Sequence, residues 1–291
     1  MRKIKILITG KGSYIGGNLI KWLQQWPEEF ELTEISLRDK TWRSHDFSFY
    51  DVVFHVAGIA HVSADPKLEE LYYSVNRDLA IEVARKAKTE SVKQFIFMSS
   101  IIIYGEDGGI DHTKKINQTT VFAPTDFYGR SKLEADLEIQ KLDEEDFKTV
   151  IIRTPMVYGF GCKGNFPRLI SLAKRVPMLP NVFNERSMIY IENLCEFIRL
   201  SIKNQVRGVF FPQNKEYVST VDIFKSLSDV FGKRIYFTKI FNILLKILAL
   251  RVRTLNKMYG NKVYDKSMSN HFDLNYCVVE FSESIRKSVK I

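Results

Sequence analysis

Cysteine is scarce in this chain of 291 residues. The three that occur, Cys162, Cys195 and Cys277, stand far apart, are odd in number and match no redox or zinc spacing. A disulfide framework and a metal knuckle are excluded, and a reducing cytoplasm is the expected compartment. The histidines, His61 and His112 among them, show no ligand spacing, so no metal is expected. Long apolar runs are missing as well. The opening Met1-Arg2-Lys3-Ile4-Lys5-Ile6-Leu7-Ile8 has too short an apolar stretch for a signal peptide and leads directly into a glycine turn. The segment Lys239–Met258 is richer in leucine and isoleucine, but Lys246, Arg251 and Arg253 interrupt it. It reads as a packed amphipathic helix, and no stable membrane insertion is expected. Internal repeats and low-complexity linkers are absent too. Nor is there a basic block with interleaved aromatics: the formal charge of +9 comes from lysines and arginines interspersed with acids. That pattern favours a solvated surface and phosphate-bearing ligands over nucleic acid.

What is present is a succession of short β-rich runs and helical patterns, the mark of an α/β fold with a parallel sheet and crossover helices. Strands are predicted over Ile4–Thr9, Thr33–Leu37, Val52–Val56, Gln94–Ser99 and Val150–Arg153. Helices are predicted over Ile15–Gln25, Leu71–Lys88 and Tyr128–Leu142, the last with Leu133, Leu137 and Leu142 on one stripe. After Gly159 the pattern loosens, with Pro167, Pro177 and Pro180 breaking it up. The expected division is a dinucleotide-binding domain over 1–160, to which later strands return, and a smaller lobe over 161–291.

Between the first strand and the first helix lies Thr9-Gly10-Lys11-Gly12-Ser13-Tyr14-Ile15-Gly16. A helix starting there offers unpaired amides and a partial positive charge to a pyrophosphate, and glycines let the backbone approach it closely. Gly10, Gly12, Ser13, Tyr14, Ile15 and Gly16 are therefore the expected cofactor cradle. At the end of the second strand an acid suits the ribose of NAD and an arginine suits the 2′-phosphate of NADP. Here Arg38 comes first and Asp39 follows, so the reading leans to NADP over NAD.

Tyr128-Gly129-Arg130-Ser131-Lys132 sets a tyrosine and a lysine four apart, on one helical face. A neighbouring ammonium lowers a phenol pKa, and such a tyrosine can pass a proton as hydride moves. In Met98-Ser99-Ser100-Ile101-Ile102-Ile103-Tyr104-Gly105 a strand runs into paired serines at its carboxyl end, where open α/β sheets bind their ligands. Ser99 reads as a strand-end cap.

These segments together resemble the extended short-chain dehydrogenase/reductases of the NAD-dependent epimerase/dehydratase type. The resemblance covers residues 3 to about 200. It implies a Rossmann-type doubly wound parallel sheet with a smaller C-terminal substrate-binding lobe. It implies Ser100, Tyr128 and Lys132 as catalytic residues, with Tyr128 and Lys132 also contacting the cofactor. Phe54-His55-Val56-Ala57-Gly58 resembles the strand end beside the adenosine, bringing in Ala57 and Gly58. Val75-Asn76 resembles the family's helix asparagine, taken as structural. Arg153-Thr154-Pro155-Met156-Val157-Tyr158-Gly159 resembles the turn past the nicotinamide, bringing in Pro155 and Val157. Gly164-Asn165-Phe166 and Asn184-Glu185-Arg186-Ser187-Met188-Ile189-Tyr190-Ile191 resemble nucleotide-sugar segments, with Asn165 and Arg186 toward the substrate and Arg186 on its diphosphate. The turn departs from the family's Thr-Gly-x-x-Gly-x-x-Gly: its middle glycine is Gly12, and Ser13 stands in the expected slot. The resemblance further implies a homodimer built on the helices at 71–88 and 128–142.

Two family features narrow the reaction that the resemblance implies. Dehydratases of the family carry an Asp-Glu pair after the catalytic serine, where this chain has Ile101 and Ile102. Hexose 4-epimerases carry an asparagine where it has Met156. The leading expectation is NAD(P)H-dependent reduction at C4 of a UDP-4-keto-6-deoxy-(N-acetyl)hexose, as in capsule and O-antigen pathways. The alternative is a UDP-glucose or UDP-N-acetylglucosamine 4-epimerase. From another class, the chain reads as a non-catalytic Rossmann module binding a dinucleotide or RNA.

Overall fold

The computed structural model describes residues 2–60, 65–110, 112–240, 242 and 258–289. His61 and most of Lys239–Met258, the stretch read as an amphipathic helix, lie outside the described residues. The chain forms two compact units: one from 1–105, 121–154 and 194–212, the other from 106–120, 155–193 and 213–291.

The first unit is built on a six-stranded sheet. Its strands are β1 (Ile4–Thr9), β2 (Phe30–Ile35), β3 (Val52–His55), β4 (Gln94–Ser100), β6 (Lys148–Thr154) and β10 (Gly208–Phe210). Across the sheet they stand in the order β10-β6-β4-β3-β1-β2, and every pairing is parallel. Strands β3 and β4 are buried almost end to end, which is why they read as unbroken apolar runs rather than alternating ones. The strand order reverses on either side of β1, so the crevice for a ligand opens at the carboxyl ends of β1 and β3.

Helices α1 (Tyr14–Leu23), α2 (Glu69–Tyr72), α3 (Leu79–Thr89), α4 (Phe127–Gln140) and most of α6 (Ile191–Lys203) complete the unit. Small residues on α3 and α4, Ala80, Ala84, Ala87 and Ala135, are fully buried against Val53, Phe95, Phe97 and Ile151 of the sheet.

Three sequence expectations are corrected here. Strand β2 starts at Phe30, before the expected Thr33, and stops at Ile35. Its ladder with β1, from Ile4↔Phe30 to Thr9↔Ile35, sets those limits, and Leu37 is buried beyond the strand. The continuous helix expected over 71–88 is split by a π-helical segment, Tyr73–Asp78, between α2 and α3. The leucine stripe of α4 is not its core face: Ala135 and Ile139 are buried, while Leu137 is exposed.

One buried ion pair ties α4 to the sheet. Asp136 has no exposure, and its carboxylate takes a forked pair of bonds from Arg153, Nε at 3.0 Å and Nη2 at 2.8 Å. It also accepts from Ser99 Oγ at 2.6 Å and Gln140 Nε2 at 2.6 Å. Arg153 in turn donates to the Tyr104 hydroxyl at 2.9 Å. Each carboxylate oxygen thus accepts two bonds, and such satisfaction is the condition for a buried charge to persist.

The second unit holds three parallel strand pairs. Strand β5 (Lys114–Ile116) pairs with β12 (Lys262–Tyr264), β7 (Met156–Tyr158) with β9 (Met188–Tyr190), and β8 (Met178–Pro180) with β11 (Tyr236–Thr238). Helices α5 (Phe166–Arg175), α7 (Thr220–Phe231) and α8 (Phe281–Ser288) pack with them. A capping box between Ser219 and Asp222 starts α7, and Gly232, at φ +60, ends it. The three cysteines are free and buried. Among the described residues no helix is long and apolar enough to cross a membrane, and no acidic, histidine or cysteine group could hold a metal ion.

Because Asp136→Asn keeps the shape but leaves Arg153 buried with a neutral partner, it is expected to cost about 3–5 kcal/mol of stability. Urea unfolding of the two proteins measures this, and a loss below about 1 kcal/mol, the size of an exposed pair, would contradict the role given to the carboxylate.

Candidate active site

The glycine turn sits at the switch point. Gly10, at φ +110, lies so close to β3's continuation that a Cβ there would stand 2.8 Å from the Ala57 amide nitrogen. Gly12, at φ +77, faces open space. Ser13, the residue that departs from the family pattern, acts locally, since its hydroxyl accepts from Gly16 N at 3.2 Å and caps α1. A Cβ on Gly16 would press to 2.6 Å of that hydroxyl. Tyr14 and Ile15 form the first turn of α1, which carries no acid. Open space at Gly12, beside a helix whose first turn carries no acid, fits a pyrophosphate, so the residues present suit a dinucleotide.

The structure adds Glu34, which the sequence reading did not single out. Its carboxylate accepts from Gly12 N at 3.0 Å and so holds the turn. Strand parity was the available signal, since β2 pairs Glu34 with Ile8 just before the turn. Asp39 is spent on Thr41, whose amide donates to it at 2.9 Å, and bonding to Thr41 holds the Asp39 carboxyl below its usual range. Arg38 is exposed. After β3, Asn76 clamps the loop of Ala57 and Gly58: it accepts from Ile59 N at 2.8 Å and donates to Ile59 O at 3.0 Å.

Ser100, Tyr128 and Lys132 come together at the carboxyl ends of β3 and β4. Asp126 starts α4 by accepting from Gly129 N at 2.7 Å, which places Tyr128 in the first turn and Lys132 one turn on. Tyr128 packs edge-on to Tyr72 at 5.9 Å, and Ser100 acts on its phenol in favour of the ionised form. The capping roles of the two serines differ from expectation. Ser100 caps the 3₁₀ turn Ile101–Tyr104 by accepting from Ile102 N at 3.3 Å, while Ser99 is taken up by Asp136.

Burial pushes the Tyr128 phenol up to about 12, with Ser100 pulling the other way. Burial also draws Lys132 down to about 7, partly offset by Asp136, and the ammonium stands 4.1 Å over the Phe97 ring. Lys132 is not among the groups acting on the Tyr128 phenol, so the lowering that the sequence suggested is not seen and desolvation dominates. His55, given no role from sequence, lies fully buried between Thr9 and Lys132. Its Nδ1 is 2.9 Å from Thr9 Oγ1, and burial with the Lys132 charge lowers it to about 3, so it stays neutral.

In the second unit Pro155 and Val157 flank Met156 at the start of β7, and Asn165 precedes α5 without capping it through its side chain. Arg186 is nearly buried and donates through Nε to Gly260 O at 2.9 Å. It is one of three cations in a row. Backbone bridges pair Arg186 with Lys262 and Lys262 with Lys114, and laterally paired residues project to one face. Asp107 is the carboxylate among them, 2.8 Å from Lys262 Nζ. Burial alone would raise Asp107, but Lys262, Arg186 and Lys114 hold it below its usual range. Burial lowers Lys114, and the Lys262 charge adds to that. Lys114 and Lys262 were not legible as partners of Arg186, because the three come from distant parts of the chain.

Lys132 makes stability depend on pH with a definite sign. Between about 7 and its ordinary 10.5, the unfolded chain holds a proton that the folded chain has shed. The cost of this lysine is therefore full below pH 7 and fades as pH climbs to 10.5. Lys132→Met is expected to raise the thermal midpoint below pH 7, with a gain that shrinks across that window. A gain independent of pH would mean that the lysine is not desolvated as described.

The description "NAD dependent epimerase/dehydratase family" matches residues 6–211. The UDP-glucose 4-epimerase of Vibrio cholerae is 32% identical over 257 residues, covering 78% of this chain and 76% of the relative. An N-acetyl-α-D-glucosaminyl-diphospho-ditrans,octacis-undecaprenol 4-epimerase of Escherichia coli O157:H7 is 26% identical over 70% of this chain and 64% of its own length. In fold, the chain is similar to the UDP-glucuronic acid 4-epimerase of Bacillus cereus in complex with NAD, at a TM-score of 0.74, 20% identity, and coverage of 98% and 97%. With the family's pattern running through the whole sheet that carries Gly10, Ser100, Tyr128 and Lys132, this chain belongs to the NAD dependent epimerase/dehydratase family.

Proposed function

We propose that this enzyme oxidises and re-reduces C4 of a UDP-hexose, acting as a 4-epimerase with NAD. The observation that carries the reading is the meeting of Ser100 and Tyr128 at the sheet's carboxyl edge, with Lys132 one helical turn away. The V. cholerae and B. cereus relatives, both named as 4-epimerases of UDP-sugars, support the substrate class.

In this reading Tyr128 takes the proton from the C4 oxygen on oxidation and returns it to that same oxygen on re-reduction, which occurs on the opposite face of C4, while Ser100 holds the oxygen. Bound NAD supplies the hydride acceptor. A phenol at about 12 is a poor base at neutral pH, so its pKa must fall in the working complex. Lys132, charged below about pH 7, is the protein group positioned to lower it. Ile101 and Ile102 offer no acid or base for dehydration. NAD rather than NADP is favoured because the Glu34 carboxylate at Gly12 repels a 2′-phosphate, although exposed Arg38 would accept one. The cation row of Arg186, Lys262 and Lys114 takes the substrate diphosphate, the forked guanidinium and the two ammonium groups being suited to phosphate oxygens. Exposed Leu137 and half-buried Leu133 on α4 fit a two-fold helix pairing in a cytoplasmic homodimer.

Reduction of a UDP-4-keto-6-deoxy-hexose, a step of surface-polysaccharide assembly, remains the second reading. Met156 in the epimerases' asparagine position favours it. Incubation with UDP-glucose and UDP-N-acetylglucosamine, without added reduced cofactor, is expected to yield the 4-epimers. Failure there, with stoichiometric NADH or NADPH oxidation by a UDP-4-keto-6-deoxy sugar, transfers the assignment to the reductase.

Tyr128→Phe is expected to lower kcat by about 10²–10⁴-fold with cofactor binding retained; unchanged turnover would remove Tyr128 from the chemistry. Lys262→Met is expected to raise KM for the UDP-sugar about tenfold or more at little cost in kcat, whereas an unaltered KM excludes Lys262 from diphosphate binding. Light scattering at micromolar concentration is expected to return the mass of two chains, and a monomer rejects the α4 pairing.

A further inference from the structure

The charge of the chain is unevenly placed. No aspartate or glutamate occurs between Asp146 and Glu185, nor between Asp229 and Asp265, and these two stretches hold fourteen lysines and arginines. The rest of the chain, with 29 cations against 34 acids, is net acidic. The fold joins the two stretches, because β8 from the first pairs with β11 from the second, Met178 opposite Tyr236. The connection continues past the strands: Asn181 N donates to Thr238 O at 2.8 Å, and Asn242 Nδ2 to Asn181 O at 2.8 Å.

The outer face of this pair is apolar where a solvated surface would be polar. Met178 is 46% exposed, Tyr236 59%, Phe183 64% and Ile240 82%. Leu179 and Ile235, next to Met178 and Tyr236 in the chain, are buried, so the strands already have an inward apolar face and the exposed one is additional. Around it stand exposed Lys174, Arg175, Arg234 and Lys239, none of them ion-paired among the described residues.

We propose that this face of the second unit docks on an anionic lipid bilayer, the apolar side chains entering the headgroup region and the cations meeting lipid phosphates. A membrane surface answers both features at once: apolar insertion supplies one part of the affinity and the negative leaflet the other. A nucleic acid would use the cations but gives Met178 and Ile240 no base-stacking role. The proposal does not depend on which C4 reaction the enzyme performs.

Flotation of the full chain with phosphatidylcholine vesicles, with and without phosphatidylglycerol, tests it. Binding is expected only with the anionic lipid and is expected to weaken as salt rises. The Lys174→Glu/Arg175→Glu double variant is expected to lose affinity on the order of tenfold or more. The Tyr236→Ser/Ile240→Ser double variant is expected to lose binding as well. Both should keep the wild-type circular dichroism and thermal midpoint, and Lys3→Glu/Glu28→Lys, an exchange of an exposed pair on the first unit, should bind normally. No flotation at low salt, equal binding to neutral vesicles, or RNA binding that Tyr236→Ser/Ile240→Ser leaves intact would each overturn the proposal. So would a dimer that this variant dissociates while vesicle binding is unchanged.

Discussion

A carboxylate shut away from water governs the arrangement of helix α4. Asp136 points from α4 into the sheet, where Ser99 of β4 and Arg153 of β6 satisfy it. A buried charge tolerates little displacement, since each lost bond leaves part of a desolvated ion unpaired. The helix is thereby held in one register against the ends of two strands. Lys132 and Tyr128 lie one and two turns upstream on the same helix, and Ser100 follows Ser99 directly. The constellation Ser100–Tyr128–Lys132 is thus placed by a pair that takes no part in it.

The two units handle positive charge in contrasting ways. In the first, Lys132 is brought into a site lined by Phe97 and neutral His55, and desolvation draws it toward the neutral form. A cation on the edge of losing its proton is suited to tuning a neighbouring phenol. In the second, Arg186, Lys262 and Lys114 face the same way across paired strands with Asp107 among them. Burial and mutual repulsion there are offset in part by that carboxylate.

Much of the fold and part of the site were legible from sequence. Strand β1 matched its apolar run because both its neighbours pair along it, so pattern and ladder end together. Strand β2, at the sheet edge, did not: its polar residues Glu31 and Glu34 hid a strand that only the register with β1 defines. The π segment of 73–78 leaves no mark on a 3.6-residue period, yet it sets Asn76 against Ile59. In the turn, Ser13 looked like a weakened glycine motif, while in three dimensions it is the cap of α1. The basic face was legible in principle as missing acids, but a search for blocks of basic residues passes over it.

Local chemistry determined the strand-turn-helix at Gly10–Gly16, the Tyr128/Lys132 spacing and the serine pair. Each is a short-range consequence of backbone freedom or helical period, and each survives being read one residue at a time. Tertiary structure alone decided the ionisation of Tyr128 and Lys132, the meeting of Ser100 with Tyr128, and that of Arg186 with Lys262 and Lys114. Those depend on desolvation and on strand pairing between residues scores of positions apart, and neither quantity is a property of any single stretch of chain.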